Sequence, residues 1–236
     1  NYCNKQVKKI SLMSKPYLFS PSEFAFGYSG CKRCYYDLKV NDVRINFAFP
    51  SIFSKIDSIQ KKFYHNKPSK FLNSNKVPEG IIKTDYAKLH KSEVLYDHKD
   101  RAFQLRGKID AYIDHKDFFS IIDFKVTNIN EKKSLTYMTQ LNSYAIMFEK
   151  PDQNYLKLDP VKNLGIFCFE PENLILKNTP ALEMSTQYFE IKRNDDLYLK
   201  FITDVIDFLE GDIPGLNNEC SLCNLKLQTF PNWVRS

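Results

Sequence analysis

The stretch that decides the fold is GKIDAYIDHKDFFSIIDFKVT, residues 107–127. It consists of two short apolar segments separated by a polar turn, a pattern typical of a β-hairpin. The second segment nevertheless carries Asp123 and Lys125 among its apolar residues. Because strand side chains alternate between two faces, Asp123 and Lys125 are predicted to share one face, and Ile122 and Phe124 the other.

A hairpin that closes at Lys116–Asp117 places Asp110 opposite Asp123. The same register collects apolar side chains on the other face, where it pairs Ala111 with Ile122 and Ile109 with Phe124. Like charges on directly opposed residues destabilise a strand pair, so the two carboxylates require a cation. Lys125 is one such cation, and a divalent ion with a preference for oxygen ligands, such as Mg²⁺ or Mn²⁺, is a stronger one. The alternative is a surface patch of ion pairs on an edge hairpin.

The segment after the hairpin, residues 132–148, has the apolar spacing of a helix. Gln140 and Tyr144 lie four residues apart in it and therefore share one helix face. They are either functional or the polar rim of a helix that packs on the sheet.

These residues resemble the PD-(D/E)XK nuclease superfamily, which has a Gly-x-x-Asp element before an Asp-x₁₂-Asp-x-Lys element. With MTQLNSYAIMF following, the chain looks like the RecB-like branch of that superfamily. The resemblance implies an α/β, restriction-endonuclease-like fold with a central mixed β-sheet flanked by helices. It also implies a hydrolase that cleaves phosphodiester bonds in DNA, on single strands or at ends, with Mg²⁺ or Mn²⁺.

The resemblance also assigns roles to individual residues. Asp110 and Asp123 would bind the metal, and Lys125 would orient or activate the attacking water. Gln140 and Tyr144 would hold the DNA strand or the geometry of the metal site.

One departure from the RecB-like pattern concerns the helix before the sheet, where metal-binding members usually have a histidine. The predicted helix Ser51–Tyr64 has none, and Asp57 is the candidate that replaces it as a metal ligand. The alternative is an exposed ion pair between Asp57 and Lys61, four residues apart. His65, at the helix end, is a further candidate. Without a third ligand, a catalytically weak or inactive nucleic-acid-binding module on the same fold is the rival hypothesis.

Two Cys-x-x-Cys pairs lie near opposite ends of the chain, Cys31 with Cys34 and Cys220 with Cys223. Four thiolates form the ligand set of a zinc ion or an iron–sulfur cluster. Paired Cys-x-x-Cys elements favour zinc, whereas the resemblance to RecB-like nucleases favours a 4Fe–4S cluster that joins the two ends of the domain. Zinc and the iron–sulfur cluster both remain open. Two further alternatives are that the cysteines are four ordinary thiols, and that the chain is an unrelated thiolate-metal protein whose hairpin is only a charge patch.

The 236 residues carry a formal net charge of +6, which suits a polyanionic partner such as DNA but also a lysine-rich solvated surface. One stretch combines basic and aromatic residues, as single-stranded nucleic-acid sites do. It contains Lys61, Lys62, Phe63, Tyr64, Lys67, Lys70 and Phe71. The alternative is that these rings belong to the core. The sequence indicates no protein partner.

The chain is expected to form a single nuclease domain over residues 15–226, with a helical and loop insertion at 50–90 and the catalytic core at 91–148. Residues 1–14 are predicted to be a polar leader and 227–236 a C-terminal tail. No apolar run reaches the roughly 18 residues of a membrane helix, and the leader has no signal-peptide core. A cytoplasmic location with reduced cysteines is therefore expected. The predicted elements are a helix start capped by Ser20, helices at 51–64, 132–148 and 195–209, and strands at 92–96, 102–113, 118–127, 164–170 and 187–192.

Overall fold

A computed structural model describes residues 15–43, 50–85 and 88–229. The predicted leader and residues 230–236 of the predicted tail lie outside these ranges. The helices are α1 (Pro21–Glu23), α2 (Lys32–Val40), α3 (Ser51–Tyr64), α4 (Glu131–Ser134), α5 (Met138–Glu149), α6 (Asp195–Glu210) and α7 (Ser221–Thr229). The strands are β1 (Tyr17–Phe19), β2 (Ile81–Thr84), β3 (His90–Lys91), β4 (Leu95–Tyr96), β5 (Ala102–Gly107), β6 (Ala111–Asp114), β7 (Phe119–Val126), β8 (Val161–Leu176) and β9 (Pro180–Ile191).

The central sheet has five strands in the order β2-β6-β7-β8-β9. It is mixed, because β7 and β8 run parallel while the other neighbours are antiparallel. A smaller sheet beside it has the order β1-β5-β3, with β4 also paired to β5. The predicted restriction-endonuclease-like architecture, a mixed sheet flanked by helices, is confirmed.

The predicted hairpin register is confirmed between Ala111 and the turn, but the predicted pairing of Ile109 with Phe124 is not. In the β6–β7 pair Ala111 lies opposite Ile122, and the turn closes with a 3.1 Å hydrogen bond from the His115 N–H to the Phe118 carbonyl. The side chains of β7 alternate between two separate cores, so the strand is buried on both faces. Ile121 packs with α5 and α6, whereas Ile122 and Phe124 pack with Tyr64 at the end of α3.

The prediction of one continuous strand over residues 102–113 is wrong. The chain leaves the smaller sheet after Gly107 and enters the central sheet at Ala111. This change of sheet turns Ile109 away from Phe124, so Ile109 packs in the other core. Gly107 gives close packing at the change, because an added Cβ would lie 3.0 Å from Pro21 Cδ and 3.2 Å from Tyr144 Cε1 and would force these neighbours to shift slightly.

Four other predictions need correction. The predicted strand 92–96 is only β4 at its end, and β3 lies before it at His90–Lys91. Ser20 precedes α1, but its side chain makes no capping hydrogen bond. The predicted helix 132–148 is interrupted by a 3₁₀ turn at Leu135–Tyr137, before α5. Strands β8 and β9 extend as a two-stranded ribbon beyond Phe169, the last partner of β7. The ribbon escaped prediction because its residues are largely exposed and carry no buried-face alternation.

Asp97 anchors the smaller sheet to α6. Its carboxylate is buried and accepts the backbone N–H groups of Lys99 and Arg101 and the Arg101 guanidinium, at 2.6–2.9 Å. The same guanidinium reaches Asp207 and Glu210 of α6, each at 2.8 Å. Burial alone would raise the pKa of Asp97, but these donors hold its pKa below the usual value.

We expect Asp97→Asn to lower the free energy of unfolding by about 3 kcal/mol, because it leaves the Arg101 guanidinium without its buried partner. The corresponding fall in Tm is roughly 6–12 °C. A lowered folded-state pKa stabilises the protein above the ordinary pKa of aspartate and stops doing so as the pH falls through the folded value. The difference between the two proteins should therefore shrink below about pH 4.

Urea unfolding at several pH values measures this difference. Asp152→Asn is the matched control, since its pairing with Lys91 at 3.7 Å is solvent-exposed and should contribute less than about 1 kcal/mol. Equal effects of the two substitutions would contradict the anchoring role of Asp97.

Candidate active site

Asp123 lies in the middle of β7, on the face that is covered by α5. It is 3% exposed, and its carboxylate forms an ion pair with Lys125, two residues along the same strand face. From α5, Gln140 Nε2 donates to Asp123 Oδ1 at 3.2 Å. An acidic side chain is therefore held inside the protein between a strand lysine and a helix amide.

Asp110 lies directly before β6 and faces the same strand. Its Oδ2 accepts the Phe124 N–H at 3.0 Å, which fixes the carboxylate beside β7, and its side chain keeps 19% of its surface exposed. The predicted proximity of Asp110 and Asp123 thus exists. It arises partly from this side-chain bond, since the paired residues of β6 begin at Ala111.

Lys61 of α3 is the second cation of the site. Its ammonium lies 2.8 Å from Asp110 Oδ1 and 3.1 Å from Asp57 Oδ2, and the residue is 7% exposed. Asp57 therefore makes the predicted i,i+4 pair with Lys61, but the pair extends inward to Asp110. Asp57 reaches the acidic pair through Lys61 and remains 43% exposed at its side chain.

The electrostatics of the site follow from burial and from crowding of like charges. Burial raises the pKa of Asp123 to about 7; Lys125 opposes this shift, and Asp110 adds to it. Burial would lower the pKa of Lys125, but the carboxylates of Asp123 and Asp110 raise it above the usual value. Burial would likewise lower the pKa of Lys61, but Asp110 raises it, and the net result is a pKa above the usual value. Both lysines are therefore protonated at neutral pH.

Gln140 and Tyr144 are buried side by side on α5, facing Asp123. Gln140 Nε2 lies 3.5 Å from the Tyr144 hydroxyl, and Gln140 Oε1 is buried without a hydrogen-bond partner among the described residues. Burial raises the pKa of Tyr144, as do the charges of Asp123 and Asp110, so its hydroxyl is neutral. The site offers an uncommitted amide oxygen and a neutral hydroxyl beside two carboxylates.

His65 does not join this group of side chains. Its Nδ1 lies 3.2 Å from the Thr84 N–H, which donates to it, and 3.0 Å from the Thr84 hydroxyl. These contacts tie the ring to β2 at the end of α3.

The four predicted cysteines converge from both ends of the described chain. Their sulfur atoms all lie within 4.8 Å of one another, with Cys31 to Cys223 at 3.5 Å, Cys34 to Cys223 at 3.6 Å and Cys34 to Cys220 at 3.8 Å. Among the described residues this is the one group of three or more cysteine, histidine or acidic side chains with such spacing. It joins α2 to α7.

Each pair of cysteines lies at a helix start. Cys31 precedes α2 and Cys34 lies in its first turn; Cys220 and Cys223 have the same places at α7. Burial would raise the pKa of the Cys220 thiol, but the N–H groups of Cys223 and Leu222 stabilise its thiolate and bring the pKa down to about 7. Burial raises the pKa of Cys34 and Cys223. The four sulfur atoms lie close enough together to bind one metal ion.

A buried ion pair supports the cysteine cluster. Lys226 of α7 places its ammonium 2.9 Å from Asp37 Oδ2 and 3.8 Å from Cys34 Sγ. Arg33 also reaches Asp37, at 3.1 Å. This ion pair links the same two helices as the cysteines and puts a positive charge beside the thiols.

The fold and this acidic site define a protein of the restriction-endonuclease-like class. The model of the PD-(D/E)XK nuclease superfamily matches residues 68–227, and the chain belongs to that superfamily. The superfamily consists generally of nucleases that use divalent metals, so a nuclease-like function and a nucleic-acid substrate follow. The match includes the hairpin, α5 and the second cysteine pair, but it begins after α3.

One solved structure, titled "Crystal structure of SSO0001", is similar to this chain with 14% sequence identity and a TM-score of 0.49. The similarity covers 90% of this chain and 85% of that chain. No curated protein matches the sequence. In the part of the chain that the structure describes, no helix is both long enough and apolar enough to cross a bilayer.

The structure brings together the five predicted residues of the acidic site, Asp110, Asp123, Lys125, Gln140 and Tyr144. It also brings the four cysteines together, in the cysteine cluster. Sequence reasoning missed the place of Lys61, which it treated as a surface partner of Asp57. The apolar pattern of α3 gave no signal for this, because Ile59 and Phe63 are exposed whereas Lys61 is buried together with Tyr64, three residues later.

Proposed function

We propose that this protein is a metal-dependent deoxyribonuclease of RecB-like type that hydrolyses phosphodiester bonds in single-stranded DNA or at DNA ends. The observation that carries the proposal is the buried Asp123 carboxylate, placed beside Asp110 with Lys125 on the same strand face and Gln140 above it. A stabilising role alone explains this cluster poorly, since the buried carboxylate of Asp123 is opposed by the neighbouring, partly exposed carboxylate of Asp110.

Asp110 and Asp123 are the residues that would hold Mg²⁺ or Mn²⁺. The donor set fits such an ion, because Asp110 and Asp123 offer carboxylate oxygens close to one another. A bound ion of this kind polarises the scissile phosphate and lowers the pKa of a water molecule. Lys61 lies between Asp57 and Asp110. Asp57 can act as the third metal ligand only if Lys61 moves away from this position.

Lys125 acts as a cation. Its raised pKa keeps the ammonium charged, so it stabilises negative charge that develops on phosphoryl oxygens and orients the attacking water. Gln140 holds Asp123 Oδ1 and fixes the direction of that carboxylate. Tyr144, neutral and packed against Gly107, supports Gln140 and the strand end before Asp110.

For the cysteine cluster we propose one zinc ion with a structural role. Tetrahedral zinc with Zn–S bonds of about 2.3 Å separates its thiolates by about 3.8 Å. Three of the sulfur–sulfur separations are 3.5–3.8 Å, which matches this spacing, and all four sulfur atoms lie within 4.8 Å of one another. A 4Fe–4S cluster interposes four iron atoms and four sulfides between the thiolates and requires wider spacing. The geometry therefore favours zinc over the cluster that the family resemblance suggested.

Cleavage assays with the full chain test the nuclease proposal. The substrates are a linear single strand, a covalently closed circular single strand and a duplex, each with Mg²⁺, Mn²⁺ or EDTA. We expect cleavage of the linear single strand with either ion and none with EDTA. Cleavage of the circle identifies endonuclease action, and its resistance identifies a requirement for ends. Absence of cleavage on all three substrates with both ions contradicts the proposal.

A non-catalytic nucleic-acid-binding module is the second candidate. The observation that favours it is Lys61, whose ammonium already neutralises Asp110 from a helix that lacks the histidine of RecB-like nucleases. Calorimetric titration with Mn²⁺ separates the two functions. Binding that Asp123→Asn abolishes supports the nuclease, whereas DNA binding without a Mn²⁺ site supports the module.

A further inference from the structure

A basic-aromatic surface lies on the outer side of α3, the 3₁₀ turn Ser69–Leu72 and strand β2. We define it by the six exposed or half-exposed residues Lys62, Phe63, Lys67, Lys70, Phe71 and Lys83. In the folded protein the residues of this basic and aromatic stretch point in different directions. Lys61 turns inward to the acidic site and Tyr64 turns inward to the core, while the neighbouring residues remain outside.

The two phenylalanines of this surface are exposed yet supported. Phe63 and Phe71 are 54% and 44% exposed, respectively. The Phe63 ring packs edge-on against the buried Tyr64 ring with centroids 5.0 Å apart, and Lys67 Nζ lies 5.5 Å from the centre of the Phe71 ring. Rings supported in this way and open to solvent provide platforms on which unpaired bases stack.

The lysines of the surface carry uncompensated charge. Within the described ranges, Lys62, Lys67, Lys70 and Lys83 take part in no ion pair with a carboxylate. Lys70 and Lys83 also line a cleft of about 720 Å³ together with Lys116 of the β6–β7 turn. The acidic groups of the cleft are Glu79 and Asp114, and Asp114 accepts the Lys116 N–H within its own turn. Ammonium groups spread along a cleft suit a chain of phosphates.

The basic-aromatic surface leads to the acidic pair. Lys62 is adjacent to Lys61, which contacts Asp110. Lys83 is adjacent to Thr84, whose hydroxyl donates to the Lys61 carbonyl at 3.1 Å and which pairs with Ala111, the residue after Asp110. Both α3 and β2 therefore extend from this surface to the residues beside Asp110.

We propose that the basic-aromatic surface binds single-stranded DNA and guides it to the acidic pair, with bases stacked on Phe63 and Phe71 and phosphates at Lys67, Lys70 and Lys83. The guiding role rests on the proposed nuclease function, whereas the binding does not. Single strands are selected because duplex bases already stack on one another and cannot reach the rings.

The test measures binding without cleavage, by fluorescence anisotropy of labelled oligothymidylate and of a DNA hairpin with the same number of phosphates, in EDTA. The double substitution Phe63→Ala/Phe71→Ala should raise the Kd for oligothymidylate by about 30-fold or more, at about 1 kcal/mol for each lost stack. Its effect on the hairpin should be less than about threefold. Tyr96→Ala, at a residue 57% exposed on β4, is the matched control and should change neither Kd.

A triple substitution, Lys67→Gln/Lys70→Gln/Lys83→Gln, tests the phosphate contacts separately. It should weaken binding and reduce the slope of log K against log[salt] by roughly 2, at about 0.7 for each contact to a single strand. Thermal melting verifies that both variants fold. An unchanged oligothymidylate Kd in folded Phe63→Ala/Phe71→Ala protein overturns the proposal, as does equal loss for the hairpin.

Two competitors identify other occupants. Tighter binding of oligouridylate than of oligothymidylate overturns DNA as the partner, and displacement by polyglutamate at equal charge overturns base stacking. The outcome is independent of nuclease activity. If the wild-type protein binds single-stranded DNA through Phe63 and Phe71 but does not cleave it, only the nuclease proposal is refuted. If the protein cleaves DNA and the two phenylalanines do not contribute to binding, only the proposal for the basic-aromatic surface is refuted.

Discussion

Asp123→Asn and Lys125→Met are each expected to lower the rate of metal-dependent DNA cleavage by at least about 1,000-fold. Asparagine keeps the shape of the side chain but removes the buried negative charge that would hold the metal. Methionine keeps most of the packing of Lys125 and removes the ammonium beside Asp123. Single-turnover cleavage of a labelled single strand, with saturating Mn²⁺, measures both effects.

Lys61→Met is the matched control for Lys125→Met. It removes the same charge from the same site, but Lys61 contacts Asp110 and Asp57 from α3 and not Asp123 from the strand. We expect it to retain cleavage within about tenfold of the unmodified protein, because Lys125 remains in place. Circular dichroism and oligonucleotide binding in EDTA verify the fold of all three variants. Cleavage that survives both Asp123→Asn and Lys125→Met would refute the nuclease assignment.

Cys223→Ser is expected to have the largest effect on stability. Cys223 is fully buried and contacts both Cys31 and Cys34, so its loss breaks the link between α2 and α7. Structural zinc contributes about 10 kcal/mol or more to folding in small domains, and a Tm decrease greater than about 10 °C is expected. The purified protein should be colourless and carry one zinc per chain, and the variant should carry none.

Cys168→Ala provides the control for the loss of a buried thiol. Cys168 lies in β8, outside the cysteine cluster, so this variant should retain its zinc. Metal analysis by mass spectrometry and thermal melting measure both variants. If the purified protein is brown, absorbs near roughly 400 nm and contains iron, the cysteines hold an iron–sulfur cluster and not zinc. Full stability and no bound metal in the unmodified protein would refute a metal at this site.

The hairpin and the central sheet were predictable because their information is local. Alternation along β6 and β7 specifies which side chains share a face, and a shift of one residue would exchange the side chains that face the two cores. The spacing of Gln140 and Tyr144 likewise assigns both to one helix face. The two Cys-x-x-Cys pairs indicated a metal site for a similar reason, since each pair forms within one turn of chain.

The proposal of zinc at the cysteines does not come from local sequence. Both zinc and a 4Fe–4S cluster accept four thiolates, and only the distances between pairs from opposite ends of the chain distinguish them. The sequence also left open which lysines and aromatic rings of residues 61–71 lie on the surface and which belong to the core. Phe63 and Tyr64 are neighbours in sequence, yet one is exposed and the other is in the core, because α3 packs on the sheet with only one face.

Local sequence patterns predicted the hairpin, a sheet with helices packed on it, and the residues that gather at the acidic site. They did not predict that Lys61 lies between Asp57 and Asp110, that Ile109 changes cores, or that the Phe124 N–H holds Asp110. The physical reason is range: strand alternation and helix spacing act over a few residues. The place of a side chain from α3 depends instead on how a distant helix packs on the finished sheet.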